Sequence, residues 1–154
     1  DLGYITPDVV ALREDFNLPG MRILQFAFDG DPENEFLPHH YPVNSVCYTG
    51  THDNETAKGW YMQAELKNKL FMHKYLDFKD EDISWALMRA AFRSVSTLCV
   101  VPLQDILSLD SEARMNNPGI AAGNWRWRMK PGAITDLLVK KFRDLNFTYS
   151  RLSS

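Results

Sequence analysis

Residues Ser45–Thr56 read SVCYTGTHDNET. The first half is a short apolar run, consistent with a buried strand. The second half sets Gly50 just before His52 and Asp53, directly after that strand. A fold rarely needs an imidazole and a carboxylate side by side at such a place, whereas chemistry often does. Gly50 is read here as the residue that lets the backbone turn sharply. Asp53 can face a cleft as a carboxylate, and His52 can donate a hydrogen bond to a substrate oxygen. The competing structural reading makes this segment an Asx-type N-cap for a helix starting near Asn54. The residues alone leave both readings open.

Outward from this stretch, strand-like and helical patterns alternate. Thr6-Pro7 is a helix start, with Thr6 as N-cap and Pro7 at the first helical position, and the helix is expected over about Pro7 to Phe16. MRILQFAF, from Met21 to Phe28, predicts a buried strand, and a polar loop rich in turn formers follows it. One helix is expected from Asn54 to about His73, on the spacing of Trp60, Ala64, Leu66 and Leu70. A clearer one carries Ile83, Leu87, Ala90, Ala91 and Ser94 on one stripe, with Asp80 or Asp82 as its cap. LCVV is another strand, stopped by Pro102. Pro102 to Gly123 reads as mostly irregular. A last helix is expected over about Ile134 to Asn146.

Apolar strands alternating with helices imply a parallel sheet with helices packed on it. A complete eight-unit barrel needs ~250 residues, and the chain has 154. The pattern therefore fits half of a barrel or a small open α/β sheet. Each strand is followed at once by polar or small residues: Asp29 after LQFAF, TGTHDN after VCY, PLQD after CVV. Parallel α/β folds place their active sites at these carboxyl ends.

Composition narrows the function classes. Hydrophobic residues make up 45% and charged residues 24%, as in an ordinary globular domain, and the net charge is −3. That balance gives no general attraction to nucleic acid or to anionic lipid. No apolar run is long enough to span a bilayer, no secretion leader is visible, and the cytosol is the default expectation. Cys47 and Cys99 both lie in apolar runs and read as buried thiols, not as a disulfide framework. The absence of an initial Met and the start in mid-pattern at Asp1 give the chain the look of a piece of something larger.

Other constellations are weaker. His39, His40, His52 and Asp53 match no known metal-ligand spacing, and the adjacent side chains of His39 and His40 diverge if that segment is extended. No metal or cofactor is expected. No serine lies in a G-x-S-x-G context, neither cysteine is flanked by activating charge, and there is no phosphate-binding G-x-x-x-x-G-K-[ST] loop. NWRWRMK, Asn124 to Lys130, alternates aromatic and basic residues. If extended, it puts Trp125 and Trp127 on one side and Arg126 and Arg128 on the other. Tryptophan faces stack on bases or on sugars, and they also fill cores. The acidic balance argues against nucleic acid, and Asn is a good partner for sugar hydroxyls because it both donates and accepts.

Taken together, DLGYITPDVVALREDFNLPGMRILQFAF, FLPHHYPVNSVCYTGTHDNET, PLQDILSLDSEARMNNPG and GNWRWR resemble the 4-α-glucanotransferases of glycoside hydrolase family 77, the amylomaltases or disproportionating enzymes. The resemblance runs from Asp1 to about Asn146. It departs from the family pattern at Glu55, where Asp is usual, at His40, where Asn is usual, and at Asn117, where Thr is common.

The resemblance implies a (β/α)8 barrel of which residues 1–154 form the C-terminal half, a single partial catalytic domain. It implies transfer of α-1,4-glucan segments between maltooligosaccharides with retention, through a covalent glycosyl-enzyme. Asp53 matches the transition-state-stabilising Asp, His52 a sugar-binding histidine, and Asn124 an Asn lining the donor side of the cleft. Phe26 lies on the strand-end segment that borders the site. Asp1 matches the residue just after the acid/base Glu. That Glu and the nucleophile Asp fall upstream of this chain, so the chain is expected to be inactive alone and to need the other half of the barrel as partner. No nucleic-acid or membrane partner is expected, and a bacterial cytosol or a plastid both fit. The alternative is a non-catalytic glucan-binding module that keeps Asp53, His52 and the Trp125–Trp127 platform.

Overall fold

The computed structural model describes residues 5–78 and 82–152. Asp1 and Asp80 lie outside them. Three strands, β1 (Gly20–Ile23), β2 (Ser45–Tyr48) and β3 (Leu98–Val100), form one sheet in the order β1-β2-β3. Both pairings are parallel, with Arg22 opposite Cys47 and Cys47 opposite Cys99. The helices are α1 (Pro7–Asp15), α2 (Ala57–Gln63), α3 (Leu66–Leu76), α4 (Ile83–Arg93), α5 (Leu103–Ile106) and α6 (Asp136–Thr148). Successive parallel strands laid side by side in chain order are what an arc of a (β/α) barrel has; β1 connects to β2 through a long loop with two 3-10 turns, and β2 to β3 through α2, α3 and α4.

The helix starts follow local chemistry. The Thr6 hydroxyl accepts from Val9 N and caps α1, with Pro7 at its start. Asp82 caps α4 by accepting from Ser84 N. The core gathers around α4, where Ile83, Leu87, Ala90 and Ala91 are all buried, as their stripe requires. Ser94 ends that stripe outside the helix, with its hydroxyl donating to Ala91 O. Leu24, Leu37, Met72, Cys47 and Phe92 complete the same cluster.

Two local expectations are corrected. The first strand stops at Ile23, and Leu24–Phe26 form a 3-10 turn closed by Ala27 N donating to Leu24 O. Leu24, Ala27 and Phe28 enter one core cluster while Phe26 is exposed, a spacing that the two-residue alternation of a strand does not give. The expected helix from Asn54 to His73 is two helices. Ala64 and Glu65 are extended between α2 and α3, and the bend lets the Tyr61 hydroxyl meet His73 Nε2 at 2.8 Å. The stretch after Pro102 is mostly irregular, as expected, with α5 and a 3-10 turn at Ser111–Ala113 as its short helical pieces.

The two thiols are free, Cys47 buried and Cys99 partly so. No helix among the described residues is long and apolar enough to cross a membrane.

Candidate active site

Beyond the carboxyl ends of β2 and β3 the chain opens a cleft of about 570 Å³. Tyr48, His52 and Asp53 line it from the β2 side, Gln104 and Asp105 from the β3 side, and Met115 and Trp125 from the following segment.

The loop from Gly50 to Thr56 is built to hold its two chemical residues outward. Asn54 Oδ1 accepts from both the backbone N–H and the hydroxyl of Thr51, each at 2.8 Å, and Asn54 N donates back to Thr51 O. This turn leaves His52 and Asp53 at the tip, with side chains 55% and 45% exposed. His52 Nε2 lies 3.2 Å from Asp53 Oδ1, and its ring packs against Trp125 with centroids 5.1 Å apart. The N-cap of α2 is Thr56, whose hydroxyl accepts from Gly59 N. Asp53 is therefore free of the capping role that the structural reading gave this segment.

Gly50 serves a different purpose from the one its sequence position implied. Its backbone is not left-handed, in contrast to Gly119 and Gly123. A side chain at this point would put its Cβ 2.6 Å from Gln25 Nε2. The glycine is required by close approach: the Gln25 amide crosses over it to donate to Glu55 O at 2.8 Å.

The segment Arg114–Asn116 grips the tip of the loop. Asn116 Nδ2 donates to Asp53 Oδ1 at 2.6 Å, and Asn116 N donates to His52 O at 3.1 Å. The Arg114 guanidinium donates to Asp53 O and to Asn116 O and lies 3.6 Å from Glu55 Oε2. Asp53 Oδ1 thus accepts from Asn116 with His52 beside it, and Oδ2 makes no hydrogen bond among the described residues.

At the base of the loop sits Asp105, 1% exposed. Thr49 Oγ1 donates to its Oδ2 at 2.6 Å and Ala57 N donates to its Oδ1 at 2.8 Å. Burial pushes its carboxyl above the usual carboxylate range, and the two donors pull it partly back.

Phe26 does not reach this cleft. It stands edge-on to Phe36 and lines a neighbouring cleft of about 390 Å³ with Asp29, and Glu55 borders both clefts. Asn124 directs its amide onto its own loop, donating to Asn117 O and Ile120 O and accepting from Asn117 N. The two tryptophans do not form one platform. Trp125 has a left-handed backbone, φ 60°, which breaks the alternation that an extended segment would give. Trp125 faces the main cleft, and Trp127 faces a separate cavity beside Asp110 and Arg128. His39 and His40 sit in a 3-10 turn with rings 4.0 Å apart, not diverging, and bond separately to Tyr75 and to Pro32 O. Among the described residues no three His, Cys, Asp or Glu side chains gather as a metal site.

Asn116, Arg114 and Gln25 carried no assignment in the sequence. Their signal was present in part, since RMNN lies inside one of the stretches that resemble the family. Asp105 belongs to the polar PLQD stretch that follows the third strand.

A parallel β/α arc with its polar loops gathered over the strand ends defines a class of barrel-type α/β domain with a cleft at the carboxyl face. The family model for 4-alpha-glucanotransferase matches residues 1–135, and the chain belongs to that family. It is 54% identical over 143 residues to a 4-alpha-glucanotransferase of Thermus thermophilus, covering 88% of this chain and 29% of the relative. It is 47% identical to a chloroplastic/amyloplastic 4-alpha-glucanotransferase of Arabidopsis thaliana, covering 99% of this chain and 27% of the relative. Its structure overlays an amylomaltase from Streptococcus agalactiae, described as in complex with acarbose, with a TM-score of 0.96 at 31% identity, over 99% of this chain and 31% of that one. The chain thus spans under a third of the length of these relatives and matches part of an amylomaltase barrel.

Proposed function

We propose that this chain supplies one wall of the active site of a 4-α-glucanotransferase, acting as part of a longer barrel that provides the nucleophile Asp and the acid/base Glu. The observation that carries the reading is the joint placement of Asp53, His52 and Trp125 around one strand-end cleft. Family membership supports it. The substrate is an α-1,4-glucan, and the reaction passes a glucan segment from one maltooligosaccharide to the 4-hydroxyl of another with retention.

In this reading Asp53 binds hydroxyls of the sugar whose bond is broken. Its Oδ1 accepts from Asn116 and lies 3.2 Å from His52 Nε2, and Oδ2 is the atom offered to the ring. As the ring flattens toward an oxocarbenium ion, the carboxylate's hydrogen bonds shorten and its charge opposes the developing positive charge. His52 donates to a hydroxyl of the same sugar. Trp125 stacks behind it, against an apolar sugar face. Phe26 and Asn124 shape the rims: Phe26 borders the adjoining cleft, and Asn124 rigidifies the loop that carries Trp125. Asp1 adjoins the acid/base Glu. The same reading puts the protein in a bacterial cytosol, or in a plastid for a plant source.

The test is incubation with maltotriose of the 154-residue chain and of the full-length protein that contains it. Glucose and a ladder of longer maltooligosaccharides from the full-length protein alone support the reading. Glucan binding without any ladder from the full-length protein replaces it with a glucan-binding module.

A further inference from the structure

The loop that carries His52 and Asp53 is tied at both ends to a single buried side chain on the next β/α unit. Thr49, just before the loop, and Ala57, just after it, each donate a hydrogen bond to Asp105, one to each carboxylate oxygen. We propose that Asp105 is a positioning residue for Asp53, a clamp that closes the base of the Gly50–Thr56 loop and so fixes where the Asp53 carboxylate stands in the cleft. This rests on the functional reading above.

The geometry makes the clamp specific. Thr49 and Ala57 are fully buried and Asp105 nearly so, so neither donor can turn to water. Asp105 is itself anchored in α5, with its N–H bonded to Pro102 O and its carbonyl accepting from Ser108 N. Two donors converge on the residue, and a carboxylate is the side chain that offers two acceptor oxygens and no competing N–H. At the tip the loop is held by Asn116 and Arg114. With the base released, the tip contacts remain but the hinge residues on either side of the loop lose their fixed separation. Displacing a catalytic group by about 1 Å is enough to cost on the order of 10²-fold in rate.

The conservative change gives a sharp control. In Asp105→Asn the amide oxygen can still face Ala57 N–H, which cannot invert. The amide N–H then faces Thr49 Oγ1, which can rotate to accept. Asp105→Asn therefore keeps both links, whereas Asp105→Ala removes both and Thr49→Val removes one while keeping the volume.

The experiment uses the full-length protein with maltotriose, together with hydrogen exchange of the peptide spanning Gly50–Ala57. Asp105→Ala is expected to lower kcat by about 10²-fold with KM within a few-fold of wild type, and to speed exchange in that peptide but not in α6. Thr49→Val follows in the same direction with a smaller loss, and it serves should the Ala variant not fold. Asp105→Asn restores most of kcat and slow exchange. Fast exchange with unchanged kcat, or a rise in KM alone, overturns the positioning role. Unchanged exchange in Asp105→Ala and Thr49→Val overturns the clamp itself. An Asp53→Asn variant run alongside separates the two questions: if it keeps full activity the functional reading fails, and the exchange data still decide the clamp.

Discussion

Asn116 Nδ2 donates to Asp53 Oδ1 at 2.6 Å, across a gap in sequence that ties the irregular segment after β3 to the loop after β2. The same residue's N–H holds His52 O. One asparagine thus sets both the carboxylate and the backbone beside it. Asn116→Ala is expected to lower kcat of the full-length protein by about 10²-fold, the low end of the loss when a placed charge-binding donor is removed, measured by glucose release from maltotriose.

Gly50→Ala presses a Cβ against the Gln25 amide, 2.6 Å from its nitrogen. The amide must swing away from Glu55 O, losing a part-buried hydrogen bond. Overpacking of this kind costs about 1–3 kcal/mol, to be read from urea midpoints. Gln25→Ala alone should lose the hydrogen bond without the clash, and the double variant should be milder than the sum of the two.

Arg151 donates to the carbonyls of Phe92, Ser94 and Ser96, pinning the chain after α6 to the α4–β3 connection. Replacing it by Met leaves these acceptors without their charged donor. A loss of about 2 kcal/mol or more is expected, seen as a lower urea midpoint, with KM for maltotriose unchanged because Arg151 is no part of the cleft.

Asp105 gives stability a pH dependence of known sign. Its folded carboxyl is raised by burial, so the folded state holds the proton more tightly than the unfolded chain. Its contribution is full below the ordinary carboxylate pKa and falls as pH rises through the raised value. Wild type should therefore lose stability relative to Asp105→Asn as pH climbs from the ordinary carboxylate range upward, followed by thermal melts of the two proteins in parallel.

The parallel β/α order was legible because its signal is local. Thr6-Pro7 caps a helix, and the Ile83–Ala91 stripe needs one buried side. The placement of Asp53 and His52 at a strand-end cleft was legible because unusual residue types stood directly after a strand. What stayed hidden is what depends on distant partners. The role of Asn116 needs the fold to bring it across to Asp53, and the reason for Gly50 lies in Gln25, on a different strand end. The separation of Trp125 from Trp127 turns on one left-handed backbone angle that the alternating residues do not encode. The break between α2 and α3 was missed because Ala64 and Glu65 are both good helix formers, and the Tyr61–His73 contact favours the bend.

The most direct test of the central claim is the steady-state rate of Asp53→Asn in the full-length protein with maltotriose as both donor and acceptor. A carboxylate that acts on the transition state predicts a fall in kcat of about 10³-fold or more with little change in KM. A kcat within a few-fold of wild type would contradict the account, and would leave the cleft beyond β2 as a binding surface whose carboxylate takes no part in the chemistry.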